Sequence, residues 1–356
     1  MSLARSILFF GACAAVFLMP TLCSAISYNI TDLGTLGGSF SVGDGINNSG
    51  QITGYSINAS GETHAFLYNG TMHDLGTFGG RNSFGGGIND SGQISGQADE
   101  PGDVASHAFL YDGTKHDLGT LGGRNSFGGA INNSAQITGY ADTAVASHAF
   151  LYNGTMHDLG TLGGTNSLGN SINNSGQISG YANLAGNLAT HAFFYDGTMH
   201  DLGTFGGTNS NGVGINNSGQ ITGDADTAGG AGHAFVYTGG KMHDLGTFGG
   251  SNSGGRDINN SGQITGYTET TGGAGHAFLY TGGVMLDLNN LINSLSGWNL
   301  TDGFAINDAG QITGTGVIGG QTYAFLLTPV PEPSTLALAA FGFIGLAAWG
   351  WRRRKR

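Results

Sequence analysis

The sequence predicts an all-β fold, a seven-bladed β-propeller closed by its N-terminal strand, with a β-solenoid as the alternative. Three observations lead to this prediction: a set of motifs that recurs seven times, four short strands in each unit, and chain ends that are out of phase with the units. Four strands in about 40–45 residues are typical of a propeller blade.

Three short motifs recur in a fixed order along the chain. Asp-Leu-Gly begins at Asp32, Ile-Asn-Asn-Ser-Gly-Gln at Ile46 and His-Ala-Phe at His64. Copies follow at spacings of 41 to 43 residues until the last unit, in which Ile306 follows Ile258 by 48 residues. Because one set marks each unit, seven sets predict seven blades.

Four strands can be placed in the first unit. Strand a covers Val42 to Asn47 and strand b covers Gln51 to Tyr55, with an Asn-Ser-Gly turn between them. Strand c covers His64 to Tyr68 and strand d covers Thr71 to Leu75. Between c and d we expect a two-residue turn at Asn69-Gly70, since Asn-Gly strongly favours a tight hairpin.

The two ends of the repeat region complement each other. The region begins with a d-type strand, Tyr28 to Leu33, and ends with a c-type strand, Tyr323 to Leu327. The last blade therefore lacks its own strand d, which the N-terminal segment can supply. Such a shared blade removes two open sheet edges, whereas a solenoid gives no reason for the offset.

The recurring motifs resemble the HAF family of extracellular repeats, named for His-Ala-Phe, over residues 28–328. The resemblance implies an extracellular location but no particular activity.

The first 25 residues have the three zones of a secretory signal. Arg5 gives a basic start, Ile7 to Phe17 an apolar run, and Cys23-Ser24-Ala25 a small-residue cleavage site. We expect signal peptidase to cut after Ala25, which leaves a repeat domain over residues 26–329.

The last segment, residues 330–356, has three parts. Pro331, Glu332 and Pro333 come first, and an apolar stretch over residues 335–351 follows, just long enough for a transmembrane helix. Five cations end the chain, namely Arg352, Arg353, Arg354, Lys355 and Arg356. Since such clusters stay on the cytoplasmic side, the bulk of the chain is expected outside.

This tail resembles the PEP-CTERM sorting signal of Gram-negative bacteria. The resemblance implies an exosortase-type membrane protease as partner, acting at Pro331, Glu332 and Pro333. It also implies an inner-membrane anchor before processing, then a cell-surface or extracellular location, often together with exopolysaccharide production.

Charge and cysteine content exclude several functions. Residues 26–330 hold five Lys and Arg against 22 Asp and Glu, a formal charge of −17, so nucleic acid is not expected as a partner. Both cysteines, Cys13 and Cys23, lie in the signal, which excludes thiol catalysis and cysteine metal sites in the mature chain.

All 11 histidines lie in the repeats, so a metal site has to be considered. The two-residue turn would pair Phe66 with His73 and His64 with Leu75, placing both His on one face about 7–8 Å apart. That is too far for a shared zinc ion. We therefore expect each His to make a blade-to-blade or turn hydrogen bond.

Calcium is the remaining metal to consider. It needs 6–8 oxygen ligands and usually several carboxylates, but in the Asn-Asn-Ser-Gly turns only Asp90 and Asp308 add charge. No cofactor is predicted, and calcium is kept as an alternative.

A candidate ligand face lies where the d-to-a and b-to-c loops would emerge together. Polar groups beside occasional aromatic rings in these loops suit a carbohydrate, whereas the alternative is that they are only solvated loops. The candidate residues are Arg81, Asn82, Phe84, Arg124, Asn125, Phe127 and Trp298.

The sequence favours a non-catalytic exopolysaccharide-matrix or adhesion module, because no nucleophile elbow, phosphate loop or zinc-helix motif occurs. The alternatives are a purely structural surface protein, a polysaccharide hydrolase or lyase, and an ice-binding protein.

Overall fold

The computed structural model describes residues 26–331. Several predicted features lie outside these residues: the signal with its cleavage site at Ala25, then Glu332, Pro333, the apolar helix 335–351 and the basic residues 352–356. Within the described residues, no helix has the length and apolarity needed to cross a membrane.

Twenty-eight strands make up the described chain. Strand β1 is Tyr28–Asp32. Blade 1 holds β2–β5 (Gly37–Ile46, Ile52–Asn58, Thr63–Tyr68, Met72–Asp74), blade 2 holds β6–β9 (Ser83–Ile88, Ile94–Asp99, Ser106–Tyr111, Lys115–Asp117), and blade 3 holds β10–β13 (Ser126–Ile131, Ile137–Asp142, Ser147–Tyr152, Met156–Asp158). Blade 4 holds β14–β17 (Gly163–Ile172, Ile178–Leu184, Thr190–Tyr195, Met199–Asp201), and blade 5 holds β18–β21 (Gly206–Ile215, Ile221–Thr227, Gly232–Thr238, Lys241–Gly246). Blade 6 holds β22–β25 (Gly249–Ile258, Ile264–Thr270, Gly275–Thr281, Val284–Asp287), and β26–β28 are Asn299–Ile306, Ile312–Ile318 and Gln321–Pro329. Two 3₁₀ turns, Pro101–Asp103 and Leu288–Asn290, lie in loops.

Each blade is a four-stranded antiparallel sheet, and seven blades form a ring. Blade 7 has the order β1-β28-β27-β26, so its outer strand comes from the start of the domain. Tyr28 pairs with Pro329 and Asp32 with Phe325. The predicted seven-bladed propeller closed by the N-terminal strand is confirmed, and the solenoid alternative is wrong.

The core lies between neighbouring blades. In one cluster, Ala65 of blade 1 packs against Ile88, Ile94, Ala98 and Phe109 of blade 2, and similar clusters follow around the ring. Burying a Phe or Ile side chain of this kind contributes about 1.5–3 kcal/mol. The His-Ala-Phe and Gln-Ile motifs recur because every blade interface needs the same side chains.

Strand a requires glycine where two blades approach most closely. A Cβ atom on Gly43 would lie 2.2 Å from the Oγ1 atom of Thr313 in blade 7. Thr313 in turn donates a hydrogen bond to the carbonyl oxygen of Phe325 at 2.8 Å. Alanine at position 43 would therefore push the first and last blades apart.

The hairpin between strands c and d differs from the prediction. Tyr68 pairs with Met72, so the loop has three residues and not two, and Leu67 rather than Phe66 lies opposite His73. Gly70 takes a φ of 106°, and the Nε2 atom of His73 bonds to Thr71 and Asn69, which stabilises the longer loop. Only in blades 5 and 6 does a Gly-Gly pair give the two-residue turn.

This shift in register moves the histidines to different faces. Neighbouring residues of a strand point to opposite faces, so His64 shares a face with Asp74 while His73 lies on the other. The expectation that the two His are diagonal neighbours on one face is therefore wrong.

Candidate functional site

An inner belt of seven asparagines joins the blades near the axis. The Nδ2 atom of Asn47 donates to the backbone carbonyl of Asn89 in the next blade at 3.0 Å, and the same bond recurs around the ring. Each Oδ1 atom accepts backbone N–H groups of its own turn, as Asn47 does from Ser49 and Gln51. The members are buried, and they are Asn47, Asn89, Asn132, Asn173, Asn216, Asn259 and Asn307.

A rim belt lies one residue further along each turn. The backbone N–H of Asn48 donates to the Oδ1 atom of Asp90 at 3.0 Å, and equivalent bonds continue to Asp308, whose N–H donates to Asn48. The members, Asn48, Asp90, Asn133, Asn174, Asn217, Asn260 and Asp308, are exposed. Both belts rim a central cavity and fix its width.

The cavity has a volume of about 640 Å³ and is lined mainly by the strand a of each blade. One strand position, the residue after the glycine that packs on the neighbouring blade, faces it in all seven blades. Unlike the glycine before it, this position differs between blades, as does the residue after it, and it is Asp44, Gly86, Gly129, Asn170, Val213, Arg256 and Phe304. The repeats therefore diverge where they face the cavity.

Aromatic rings form one side of the cavity. Tyr55 of blade 1 and Phe84 of blade 2 meet edge to face with ring centroids 5.1 Å apart, and Phe127 and Tyr140 lie 6.0 Å apart within blade 3. All four rings line the cavity and are half-buried. This side offers apolar faces at a polar site, the arrangement that binds a flat, partly apolar ligand.

An arginine on the other side is already paired. The guanidinium of Arg256 donates to Asp302 at 2.8 and 3.1 Å. Its central carbon lies 4.9 Å from the ring centroid of Tyr267 and 5.3 Å from that of Phe304. Burial lowers the pKa of Arg256, but the Asp302 carboxylate outweighs it and raises that pKa overall, so the guanidinium stays charged.

A second carboxylate at the cavity is held by the backbone. The side chain of Asp257 accepts the N–H of Ile258 at 2.8 Å and the N–H of Ile306 at 3.0 Å. Burial raises the pKa of Asp257, and these two donors oppose the rise. Both of its oxygens are therefore engaged within the scaffold.

The carboxylate of Asp44 differs from its neighbours. Among residues 26–331 it receives no hydrogen bond, although it lines the cavity and is half-buried. Burial raises its pKa to about 7, with Arg256 opposing the rise and Asp302 adding to it. The same carboxylate contributes, after burial, to the raised pKa of Tyr55.

The polar residues of the predicted ligand face make structural contacts. The backbone N–H of Arg81 donates to Asp103 at 2.8 Å, and its guanidinium pairs with the same carboxylate. Asn82 bonds to Asp99 at 3.0 Å and accepts the N–H of Thr63. Arg124 donates to the carbonyl of Val104, and Asn125 repeats the bonds of Asn82 in the next blade. The structure therefore brings the d-to-a and b-to-c loops together as predicted. The Asn82 side chain joins blades 1 and 2, and that of Asn125 joins blades 2 and 3.

The three aromatic residues of that prediction lie elsewhere. Phe84 and Phe127 line the axial cavity from strands β6 and β10. Trp298 is half-buried and packs on Phe325 in the core of blade 7, with ring centroids 6.3 Å apart. The predicted set therefore does not form one surface.

The histidines stabilise the blades locally. In six blades the Nδ1 atom of the strand c His lies 2.8–3.0 Å from a strand d carboxylate, as His64 does from Asp74. The strand d His residues of blades 1 to 4 bond within the hairpin turn. The bonds thus lie within a blade or a turn, not between blades.

Among residues 26–331, one group of side chains has the spacing of a metal site. Glu100 joins His107 and Asp117, with one ligand atom of each within 4.8 Å of the others. The His already bonds to Asp117 at 3.0 Å, and the group lies at the surface. For calcium, the rim and inner belts offer few free oxygens, since their Oδ1 atoms accept backbone N–H groups.

The sequence contained a signal for the cavity that was missed. In strand a, each Gly is followed by a residue that changes from blade to blade, and the strand b position held by Tyr in four blades becomes Gln97, Asp224 and Thr315 in the others. Comparing the repeats position by position would have singled out Asp44 and Arg256.

Comparisons with known proteins agree with the fold and with the tail. A model of the PEP-CTERM protein-sorting motif matches residues 329–355, which implies an exported protein that is anchored at the membrane before an exosortase-type system processes it. No curated protein sequence matches the chain.

Several solved structures are similar in fold. The β-propeller domain of the trilobed protease from Pyrococcus furiosus has a TM-score of 0.56 at 10% identity, covering 81% of this chain and 93% of that one. A puromycin-hydrolysing peptidase of Mycobacterium tuberculosis has a TM-score of 0.51 at 11% identity, covering 82% and 53%. TolB from Acinetobacter baumannii has a TM-score of 0.45 at 13% identity, covering 76% of each chain. At these identities the first two show the propeller fold alone.

Proposed function

We propose that this exported propeller is a non-catalytic module that binds a saccharide of the exopolysaccharide matrix in its axial cavity. The observation that supports this most is the divergence of the repeats. The seven blades share most of the residues that form the turns and the blade interfaces, and they differ in the loops between strands b and c and in strand a, where Asp44, Asn170 and Arg256 face the cavity. A purely structural ring would have no need for this difference.

The chemistry of the cavity suits a sugar. A pyranose ring has apolar C–H faces and a rim of hydroxyl groups, and here the rings of Tyr55, Phe84 and Phe127 lie opposite polar side chains. Ligand sites of about 300–1,000 Å³ with a few polar groups among aromatic ones are typical of small molecules. The volume of about 640 Å³ would admit one to a few sugar units.

The state of the carboxylates favours binding over hydrolysis. Glycosidases need two carboxylic groups about 5–9.5 Å apart that are free to act on the substrate. In the described chain, Asp302 is engaged by Arg256 and Asp257 by two backbone N–H groups. Among the described residues, the side chains of Asp44 and Asp224 near Arg256 accept no hydrogen bond, but of these two only Asp44 lines the cavity. This supports a non-catalytic role.

The location is in keeping with the proposal. The sorting motif implies an exported protein, and outside the cell such a protein could meet exopolysaccharide. The mature domain carries a formal charge of −17, which disfavours acidic polymers and favours neutral or cationic ones.

Binding to an array of bacterial polysaccharides tests the proposal. The mature chain, purified in detergent with its tail, should bind at least one glycan saturably, and Phe84→Ala with Phe127→Ala should weaken that binding at least about tenfold. The loop variants Arg81→Ala and Arg124→Ala are the matched controls and should leave the affinity unchanged.

Two results would contradict the proposal. Binding that is lost in the loop controls and kept in the cavity variants would return the ligand to the loop face. Failure to bind any glycan would favour a purely structural role. Melting curves of every variant check that the fold is intact.

A further inference from the structure

The cavity has an imbalance of charge that a ligand would have to satisfy. Four carboxylates line it, from Asp44, Asp90, Asp257 and Asp308, against the single guanidinium of Arg256. Opposite charges attract strongly in a partly desolvated cavity. The cavity as a whole therefore favours a positively charged ligand.

Three of these carboxylates are already satisfied. Asp90 and Asp308 accept bonds within the rim belt, for example from Asn133 at 2.8 Å and from Asn260 at 2.8 Å. Asp257 accepts two backbone N–H groups, and the guanidinium of Arg256 is taken by Asp302. None of these groups needs a ligand to complete its hydrogen bonding.

Asp44 is the exception. Its carboxylate has no donor among residues 26–331, and it lies beside Tyr55, whose ring meets that of Phe84. Removing a carboxylate partly from water without giving it a donor is costly, so the half-buried Asp44 would gain from a cation in the cavity. The two neighbouring rings would add attraction, since aromatic faces bind cations.

We propose that the saccharide is an amino sugar whose free ammonium group binds the carboxylate of Asp44 beside the Tyr55–Phe84 ring pair. This inference rests on the proposed saccharide-binding function and narrows its ligand class. An ammonium supplies both the charge and the N–H donors that Asp44 lacks. An acetylated amine supplies one donor and no charge, and a neutral hexose offers only hydroxyl groups.

The experiment compares two oligosaccharides that differ only in the amine. Glucosamine oligomers and fully N-acetylated oligomers of the same length are titrated calorimetrically into the mature chain, purified in detergent with its tail. The glucosamine oligomer should bind at least about tenfold more tightly, the effect of one charge-assisted hydrogen bond. Its affinity should also fall with added salt, whereas that of the acetylated oligomer should not.

Two substitutions locate the contact. Asp44→Asn should reduce the affinity for the glucosamine oligomer by about 10- to 100-fold and hardly change that for the acetylated one. Asp90→Asn is the matched control, because it removes one charge from the same cavity and installs the residue that Asn133 and Asn174 provide in other blades. It should change the affinity by less than about threefold.

Each other outcome has a definite meaning. If Asp44→Asn and Asp90→Asn lost affinity for the glucosamine oligomer equally, or if the two oligomers bound with equal affinity, the Asp44 contact would be overturned while saccharide binding stayed in place. Binding of neutral glycans alone would do the same. Absence of binding to any glycan would overturn both proposals. If Asp44→Asn does not fold, the salt dependence of the native chain decides: an affinity for the glucosamine oligomer that does not fall with salt would overturn the Asp44 contact.

Discussion

The Nδ2 atom of Asn307 donates a hydrogen bond to the backbone carbonyl of Asn47 at 3.0 Å, across 260 residues of sequence. This bond closes the inner belt between the last blade and the first. The same two blades also meet where Ser41 accepts the N–H of Ala324. Ring closure therefore depends on side chains as well as on the strand β1.

The first prediction concerns this bond. Asn307→Ala should lower the free energy of unfolding by about 1–3 kcal/mol, because the buried carbonyl of Asn47 loses one of its two donors and keeps only the N–H of Gly50. It also removes the acceptor for the N–H groups of Ala309 and Gln311. Urea unfolding measures the effect, with the exposed Asn48→Ala as control. A loss no larger than that of the control would show that the inner belt is not needed for closure.

The second prediction concerns strand β1. Deleting residues 26–32 should lower the melting temperature markedly and promote aggregation, since it exposes the edge of β28 and removes the buried Tyr28. Light scattering during a thermal melt measures both effects. A melting temperature equal to that of the full chain would mean that the ring closes without this strand.

The third prediction concerns Lys115, which occupies a position held by Met72, Met156 and Met199 in other blades. Its ammonium lies 4.6 Å from the ring centroid of Phe109, and burial lowers its pKa to about 8, with Asp74 opposing. Lys115→Met should therefore stabilise the fold, by about 1–2 kcal/mol.

The gain at Lys115 should depend on pH. Below pH 8 the amine is charged in both the folded and the unfolded chain, so the full cost of burial is present. Between pH 8 and the ordinary lysine pKa of 10.5 the folded chain releases its proton first, and the advantage of Met shrinks. Chemical unfolding at pH 7 and pH 10 measures this. The exposed Lys241→Met is the control, and an equal gain there would contradict the explanation.

The fourth prediction concerns Asp44, whose pKa burial raises to about 7. A raised carboxyl pKa means that the folded chain holds a proton which the unfolded chain has lost, so stability falls as the pH rises from about 4 to 7. Arg256, Asp302 and Tyr55 face this carboxylate and share its field. Asp44→Asn should therefore match the native chain at pH 4 and exceed it at pH 8, by up to about 4 kcal/mol.

A rim carboxylate provides the contrast for this measurement. Burial raises the pKa of Asp90, but hydrogen bonds from Asn48 and Asn133 outweigh it and lower that pKa overall. The ionised Asp90 therefore stabilises the fold at pH values above the usual pKa of an aspartate, and Asp90→Asn should not increase stability at pH 8. If both variants gain equally, relief of net negative charge is the cause and not the environment of Asp44.

The fifth prediction concerns calcium. Excess chelator should leave the melting temperature unchanged, because the Oδ1 atoms of Asn47 and Asp90 already accept backbone N–H groups. The control is a thermal melt with added calcium, whose midpoint should equal that of the melt with chelator. A midpoint that drops with chelator and recovers with calcium would show that the turns open to bind the ion.

The fold could be predicted from the sequence because each blade interface repeats the same side chains. Residues such as Ile52 and Phe66 are buried in every unit, and the phase offset of the ends was enough to place β1 beside β28. The c-to-d hairpin was misjudged because His73, Thr71 and Asn69 bond to one another and favour a third loop residue. The turn preference of the Asn-Gly pair considers only the two residues themselves, so it could not reveal these side-chain hydrogen bonds.

The candidate site was only partly accessible from the sequence. Phe84 and Phe127 were predicted as ligand-face residues, but in the loops between strands d and a. In the structure, strand a begins at Ser83 in blade 2 and at Ser126 in blade 3, so both Phe residues lie in the strand and line the axial cavity. Asp44 and Arg256 were not predicted, because they occupy a position at which the repeats differ, whereas the predictions rested on the motifs that the repeats share. Which face of a blade a residue occupies depends on the bulge in strand a after Gly43, and the alternation of side chains alone does not reveal it.

The position of β28 has a mechanical consequence. This strand ends at Pro329, and it pairs with β27 from Gln321 to Leu327 on one side and with β1 from Phe325 to Pro329 on the other. A pull on the chain beyond Pro329, directed along the strand, would load both rows of bonds in shear, so that many must break together. Without β1 only one row would resist. The strand that completes the ring thus also doubles the attachment between the propeller and whatever holds the chain at that end.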